Sequence, residues 1–179
     1  MKRNFVLLVL IAVLFSGAVG TATADVRLDF DVPVLLAAGL NVSSVTDNST
    51  LDFDLSNLHI PLPFVSLAYQ FGDSFLRGGI GVRSLIALVE FFGWPMGYVE
   101  VEMDRLVLRA ELGGLGFFAV GVGTTFFAQD LLISDVQLDY AFYPWLRAGA
   151  GVLYGAPLSD FGNNLWMFYV NVRFTFDFR

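Results

Sequence analysis

The C-terminal end of the chain alternates apolar and polar side chains with a period of two. Every second residue from Phe168 to Phe178 is apolar, and the residues between them, from Tyr169 to Asp177, are polar. Successive side chains of a β-strand point to opposite faces, so this segment is predicted to be a strand with one oily and one polar face. An oily face about ten residues long suffices for a tilted strand to cross a bilayer.

The same alternation recurs along the rest of the chain. In the segment 26–32, for example, apolar residues alternate with Arg27, Asp29 and Asp31. We therefore predict strands at 26–37, 57–71, 75–90, 97–112, 115–127, 131–143, 145–155 and 165–179, with longer connections at 38–56, 91–96 and 156–164. The apolar face changes parity near Asp104, which requires either a bulge or a turn, and the pattern does not distinguish the two.

Two segments of similar sequence, 69–82 and 140–152, set the expected number of strands. Each predicts a strand, a tight turn flanked by aromatic residues and a returning strand. Their spacing leaves room for two further strands between them, at about 18 residues per strand and connection. The chain after residue 24 then holds about eight strands, and bacterial single-chain barrels have even numbers. The predicted fold class is all-β, a transmembrane antiparallel up-and-down β-barrel.

The first 24 residues have the three regions of a secretory signal peptide. Lys2 and Arg3 form the positive region, an apolar run follows over 5–15, and Ala-Thr-Ala at 22–24 fits a cleavage site. The run is shorter than the ~20 residues that a spanning helix needs. We expect cleavage after Ala24, which leaves residues 25–179 as a barrel in the outer membrane of a diderm bacterium.

Composition favours a wall that faces lipid and excludes several other classes. After residue 24 the chain has eight Arg, no Lys and all 17 acidic residues, hence a net charge of −9 and no basic footprint for nucleic acid. Cys is absent, which excludes disulfides and thiolate metal sites. The chain is 56% hydrophobic and has 19 Phe, more apolar surface than a soluble domain of this size usually carries.

Charged residues fall on the polar faces of the predicted strands, where they would point into the barrel. An eight-stranded barrel is narrow enough for side chains to fill, and buried charges must pair. Arg pairs with carboxylates better than Lys because its planar fork meets both oxygens. We expect a salt-bridged plug, with a selective polar conduit as the alternative. The predicted polar residues of the lumen are Asp29, Asp31, Arg77, Arg83, Arg105, Arg109, Glu111, Asp135, Asp139, Arg147, Arg173 and Asp177.

The segment 60–82 resembles part of the OmpW family. It contains Pro-Leu-Pro at 61–63, an aromatic strand end at 69–71, Gly-Asp at 72–73, Phe-Leu-Arg at 75–77 and alternating glycines at 79 and 81. The family has Leu-Pro-Pro where this chain has Pro-Leu-Pro. The resemblance implies an eight-stranded outer-membrane barrel that passes small hydrophobic molecules, and it is equally compatible with the broader class of OmpA/OmpX-like barrels.

No catalytic, cofactor or metal site is predicted. His59 is the only His of the chain, and a hydrolytic arrangement with Ser56 or Ser66 is conceivable, but adjacency in sequence fixes no geometry. Asp52 and Asp54 lack the signature of a calcium-binding loop, and the glycine-rich stretches lack the Lys of a phosphate loop. The alternative to a non-enzymatic barrel is a lipid-modifying outer-membrane enzyme that uses His59.

The leading prediction is an outer-membrane barrel that is structural or passes small hydrophobic molecules. Adhesion or host contact through the loops is a further alternative. The expected partners are outer-membrane lipids, the barrel-assembly machinery and small hydrophobic ligands. Phe174, Phe176 and Phe178 are the predicted assembly signal. We expect this last strand to pair with the first, because an open sheet in lipid exposes unsatisfied backbone groups.

Overall fold

The structure is a computed structural model that describes residues 25–43, 50–54, 61–87, 90–121, 124–128 and 130–178. The predicted signal peptide lies outside the described residues. The described residues form these strands: β1 (Asp25–Ser43), β2 (Thr50–Asp54), β3 (Phe64–Gly72), β4 (Leu76–Ala87), β5 (Glu90–Met103), β6 (Leu106–Gly114), β7 (Phe117–Gly121), β8 (Thr124–Ala128), β9 (Leu131–Tyr143), β10 (Leu146–Pro157) and β11 (Asn164–Phe178).

Eight of these strands close into a ring in which every neighbouring pair is antiparallel. The ring runs β1–β3–β4–β5–β6–β9–β10–β11 and returns to β1. The three short strands extend it at one end, where β2 pairs with β1, β7 with β5, and β8 with β7. The predicted fold, an antiparallel up-and-down barrel of eight strands, is confirmed.

The first and last strands close the barrel, as expected from the alternation at the C-terminus. Their register runs from Val26 opposite Phe178 to Asn41 opposite Asn164, with one shift between Leu35 and Ala37. Closure matters because it gives hydrogen-bond partners to the backbone groups of both strands, which a hydrocarbon environment would leave unsatisfied. The pairing also places the apolar side chains of both strands on the same outer face.

The middle of the chain is divided differently from the sequence prediction. The segment 97–112 is not one strand, because a turn at 104–105 separates β5 from β6, and Asp104 takes a positive φ of 58° there. The parity change near Asp104 is therefore a turn. Residues 91–96, predicted as a connection, belong to β5, and the predicted strand 115–127 contains all of β7 and most of β8. Gly93, Pro95 and Gly97 obscured the strand, since both residue types are rare in strand interiors.

Three tight turns lie at the same end of the barrel as both ends of the folded chain. They occupy 73–75, 104–105 and 144–145, and we call this the short-turn end and the opposite one the loop end. Asp73 Oδ1 accepts hydrogen bonds from the backbone N–H groups of Phe75 and Leu76, both at 2.8 Å. These hydrogen bonds lower the pKa of the Asp73 carboxyl group, which stays ionised and holds the turn.

The barrel wall is apolar outside and, from the short-turn end to its middle, polar inside, the reverse of a soluble protein. On β9, Val136 and Leu138 are each 51% exposed on the outer face, whereas Gln137 between them is 1% exposed. Such a continuous apolar exterior is expected only where it meets lipid or another apolar surface. Near the short-turn end, the rings of Tyr143 and Trp145 stack at 5.5 Å, as in the aromatic girdles of membrane barrels.

Among the described residues, no helix reaches the length and apolarity that crossing a membrane would require.

Candidate functional site: the lumen of the barrel

The lumen has two parts that differ in chemistry. From the short-turn end to its middle it is filled by charged and hydrogen-bonding side chains, which we call the polar network. Towards the loop end the inward-facing side chains are apolar and enclose a cavity. The boundary arises because the inward positions change type along a strand. On β9, for example, Asp139, Gln137 and Asp135 are followed by Ile133 in the same face.

Glu100 lies at the centre of the polar network near the short-turn end. Its carboxylate oxygens are 2.9 Å from Arg147 Nη1, 3.1 Å from Arg27 Nη2 and 3.3 Å from Arg77 Nη2, and its side chain is fully buried. Glu102, further towards the opening and partly exposed, pairs with Arg77 and lies 3.6 Å from Arg147. One buried carboxylate thus compensates three guanidinium groups that reach it from three different strands.

A second group of contacts surrounds Asp29 in the middle of the lumen. Its carboxylate is 2.8 Å from Arg27 Nε and 2.7 Å from Arg109 Nη1, and it accepts a hydrogen bond of 2.8 Å from the Thr175 hydroxyl. The Arg109 guanidinium lies 3.9 Å from the centroid of the Tyr98 ring, a cation–π geometry. This group connects β1 to β6 and β11 through the interior.

A third group forms the boundary with the apolar part. Arg83 Nη1 is 2.6 Å from Asp135 Oδ2 and 3.1 Å from Glu111 Oε2. The Tyr169 hydroxyl donates to Asp135 Oδ1 at 2.6 Å and accepts from Gln137 Nε2 at 2.7 Å. The ring of Tyr169 lies over Gly151, where a Cβ atom would be 2.6 Å from the ring carbon Cζ. Gly151 therefore makes the room in which this tyrosine crosses the lumen.

Charges in the enclosed part of the network nearly balance. Among the described residues, five Arg and six carboxylates are buried, which leaves one excess negative charge. They are Arg27, Arg83, Arg109, Arg147 and Arg173, with Asp29, Asp31, Glu100, Glu111, Asp135 and Asp139. Buried charges are tolerated only when paired and hydrogen-bonded, so this near balance is what allows a filled polar interior.

The structure buries nine of the twelve residues predicted for the lumen. They are Asp29, Asp31, Arg83, Arg109, Glu111, Asp135, Asp139, Arg147 and Arg173. Arg77 is partly exposed at the short-turn end and pairs with Glu100 and Glu102.

Two of the predicted lumen residues require correction. Arg105 is exposed in the turn between β5 and β6, where it donates to the Tyr140 hydroxyl at 3.3 Å. Its assignment failed because 97–112 was read as one strand. Asp177 is also exposed, because it lies near the end of β11 beyond the enclosed network. It borders a recess of about 320 Å³ at the short-turn end together with Asp25 and Arg77.

Several members of the network were absent from the predicted set. Arg27 and Glu100 are both fully buried, and each contacts at least two oppositely charged groups. Arg27 had the correct alternation in the sequence, next to Asp29 and Asp31. Glu100 also had the correct alternation, between the apolar Val99 and Val101. Tyr98 and Tyr169 alternate with the outward-facing residues of β5 and β11 and carried the same signal.

The apolar part of the lumen encloses a cavity of about 290 Å³ near the loop end. Its walls come from β3, β4, β5, β9, β10 and β11, so it lies inside the ring of strands. Trp94 and Phe64 are buried there, with ring centroids 6.1 Å apart in an edge-to-face arrangement. The cavity, which we call the apolar cavity, is lined by Phe64, Leu85, Phe92, Trp94, Leu131, Ile133, Leu153, Gly155, Leu165 and Met167.

Two glycines shape the wall around this cavity. Gly113 lies under the Trp94 indole, where a Cβ atom would be 2.7 Å from Cδ1, so the glycine lets the indole lie flat against the wall. Gly155 has room for a Cβ atom, which would make ordinary van der Waals contacts at 3.8 Å with Leu132 O and at 4.0 Å with Ile133 Cγ1. Because Gly155 lines the cavity, a larger side chain at this position would extend into it. In the sequence, the strand segments that line the cavity are apolar at every position rather than at every second one, as in 131–133 and 165–168.

Of the residues considered for catalysis or metal binding, only Ser66 has a side chain among those that the structure describes. His59, Ser56 and the side chains of Asp52 and Asp54 lie outside the described residues. Ser66 is buried on β3, and its hydroxyl has no hydrogen-bond partner among the described residues. Within the described part of the chain, no group of three or more His, Cys, Asp or Glu is arranged to hold a metal ion.

A closed antiparallel ring with an apolar exterior and a paired polar interior defines a small transmembrane β-barrel. No family model and no curated protein matches the chain. Similar solved structures include Neisserial surface protein A, at 14% identity over 88% of this chain and 100% of that chain, with a TM-score of 0.47. The N-terminal β-barrel domain of Pseudomonas aeruginosa OprF is 11% identical over 84% and 97%, with a TM-score of 0.43. A de novo designed transmembrane β-barrel is 14% identical over 85% and 95%, with a TM-score of 0.41.

Proposed function

We propose that this chain is a non-enzymatic outer-membrane barrel that admits small apolar molecules into the loop end of its lumen. The apolar cavity carries this proposal. A core that served only to fill the barrel would be packed without a void of this size, since protein interiors are close-packed. Ligand sites are typically apolar and concave, and an engineered apolar cavity of about 150 Å³ binds benzene.

The polar network closes the apolar cavity on the side that faces the short-turn end. Its side chains reach across the lumen between Arg83, Asp135 and Tyr169, directly beyond the apolar lining. A molecule that enters from the loop end would therefore meet paired charges rather than an open channel. The resemblance of 60–82 to the OmpW family, whose members pass small hydrophobic molecules, agrees with this proposal, and the apolar exterior supports a location in the outer membrane.

The fluorescence of Trp94 provides a test of ligand binding. The chain has three Trp, and Trp145 and Trp166 are both exposed outside the lumen. In a Trp145→Phe, Trp166→Phe variant reconstituted in phosphatidylcholine vesicles, we expect 1-bromooctane to quench Trp94 saturably. Gly155→Leu in this background should abolish saturable quenching, because leucine fills the cavity, while the fluorescence of the empty barrel persists.

The matched control is Val152→Leu, which enlarges an exposed residue on the outer face of the same strand. It should leave the quenching curve unchanged. Quenching that rises linearly with bromooctane, or that is unaffected by Gly155→Leu, would mean that Trp94 is reached from the bilayer and that the cavity binds nothing.

The enzyme alternative is tested at His59. We expect His59→Ala to leave lipid A acylation and phospholipid composition of the outer membrane unchanged, because a barrel without a catalytic site modifies no lipid. Mass spectrometry of lipids from cells with the wild-type chain, the variant and no chain makes the comparison. A modification present with wild type and lost with His59→Ala would replace the present proposal with a lipid-modifying enzyme.

A further inference from the structure

We propose that the barrel selects its ligands by charge, and that the apolar cavity admits uncharged or cationic apolar molecules while it excludes anions. This inference rests on the proposed function, since it names the ligand class of the same cavity. It depends on two independent features of the molecule, the charges beneath the cavity and the charges around the loop end.

Beneath the cavity, the positive charge nearest to its lining is already compensated. The Arg83 guanidinium lies 4.6 Å from the ring centroid of Phe64, which lines the cavity. Its nitrogens are 2.6 Å from Asp135, 3.1 Å from Glu111 and 3.7 Å from Asp31. A ligand carboxylate that pointed towards this floor would be a fourth negative charge around one cation, in a network that already has an excess carboxylate. Burial of an uncompensated anion is strongly unfavourable.

Around the loop end, the residues that the structure describes include exposed acidic side chains and neither Arg nor Lys. The seven Arg that the structure describes lie in the polar network or at the short-turn end. The described side chains at this end include the exposed carboxylates of Asp130, just before β9, and Asp160, just after β10. A ligand that entered with its tail first would leave a carboxylate head among these charges, whereas an ammonium head would be attracted.

An anionic ligand is therefore repelled whether its charged group points to the polar network or to the loop end. For this reason the charge of a ligand, rather than its shape, decides whether it binds. A cation with its head at the loop end meets favourable potential, and its tail meets the aromatic rings of Phe64, Phe92 and Trp94. The cavity volume of about 290 Å³ is roughly twice that of the engineered cavity that holds benzene, so an alkyl chain of eight or nine carbons is an appropriate probe.

The test compares three probes of similar length by quenching of Trp94 in the Trp145→Phe, Trp166→Phe variant in phosphatidylcholine vesicles at pH 8. The probes are 1-bromononane, 8-bromooctylammonium and 8-bromooctanoate. The measured quantity is the probe concentration in the membrane at which half of the Trp94 fluorescence is quenched. We expect this concentration to be at least tenfold higher for 8-bromooctanoate than for 1-bromononane. For 8-bromooctylammonium it should equal the value for 1-bromononane or be lower. A variant with only Trp166, which faces lipid, corrects for the partition of each probe into the bilayer.

A second variant assigns the effect to the loop end. The double variant Asp130→Asn, Asp160→Asn removes two negative charges at the loop end, and 1 M salt screens the charges that remain. Each change should reduce the difference between the half-quenching concentrations of 8-bromooctanoate and 8-bromooctylammonium. Half-quenching by the carboxylate at the same or a lower corrected concentration than bromononane would overturn charge selection. The proposed function itself fails if no probe quenches Trp94 saturably. It also fails if saturable quenching persists in the Gly155→Leu variant.

Discussion

Deleting residues 170–179 should prevent the chain from forming a barrel in the membrane. The deletion removes most of β11, which pairs with β1 on one side and β10 on the other. Both neighbours would then present unpaired backbone groups to hydrocarbon, at a cost of several kcal/mol for each group. It would also remove Arg173, the partner of Asp31 at 2.5 Å and of Asp139 at 3.2 Å. We expect the truncated protein to be degraded or to aggregate in the periplasm.

Heat-modifiable migration on gels, together with the yield in the outer-membrane fraction, measures this loss. A chain that ends at Phe178 is the matched control, because it keeps every residue of β11 that pairs with β1. Should the truncated chain still reach the membrane and migrate differently before and after boiling, β11 would be dispensable for closure and the ring of strands described above would be wrong.

The assembly signal can be separated from the packing of the same strand. Phe178 lies opposite Val26, and both side chains are exposed on the outer face. If the aromatic residues Phe174, Phe176 and Phe178 are read during assembly, Phe178→Ala should reduce the assembled fraction more than Val26→Ala does. Equal reductions would mean that only contact with lipid and with the neighbouring strand is lost.

The alternation of residue types predicted the fold because the membrane imposes it on every strand. Lipid outside and a narrow polar interior require opposite chemistry at successive positions, so Val136, Gln137 and Leu138 reveal their faces without any knowledge of their neighbours. The same rule identified most of the polar network. It failed at Asp177, because alternation gives the face of a residue and not its depth along the barrel axis.

The pairing within the network and the apolar cavity could not be predicted in this way. Which carboxylate meets Arg83 depends on the registers of β4, β6 and β9, and these were uncertain while the turn at Asp104 was unplaced. The cavity arises where inward positions become apolar, as at Leu153 after Gly151, and there the two faces of a strand look alike in sequence. Its volume depends further on Gly113 and Gly155, whose effect appears only once the neighbouring side chains are placed.

Glu100→Gln should destabilise the barrel more than any other single exchange of a carboxylate for an amide in the network. The amide removes the negative charge that compensates Arg27, Arg77 and Arg147, all within 3.3 Å of Glu100. Breaking a buried ion pair by removing one partner costs about 3–5 kcal/mol, because the remaining charge is left uncompensated away from water. The free energy of unfolding in urea, measured on vesicle-reconstituted protein by the gel shift, should fall by this amount.

Glu102→Gln is the matched control for that measurement. Glu102 contacts Arg77 and Arg147, as Glu100 does, but its side chain is 28% exposed at the short-turn end, where water can replace the lost charge. We therefore expect a loss of about 1 kcal/mol or less. Adding Arg147→Met to Glu100→Gln should recover part of the stability, since it removes one of the three guanidinium groups whose charge Glu100 compensated. Equal losses for Glu100→Gln and Glu102→Gln, with no recovery in the double variant, would mean that water reaches the centre of the network and that the lumen is not closed there.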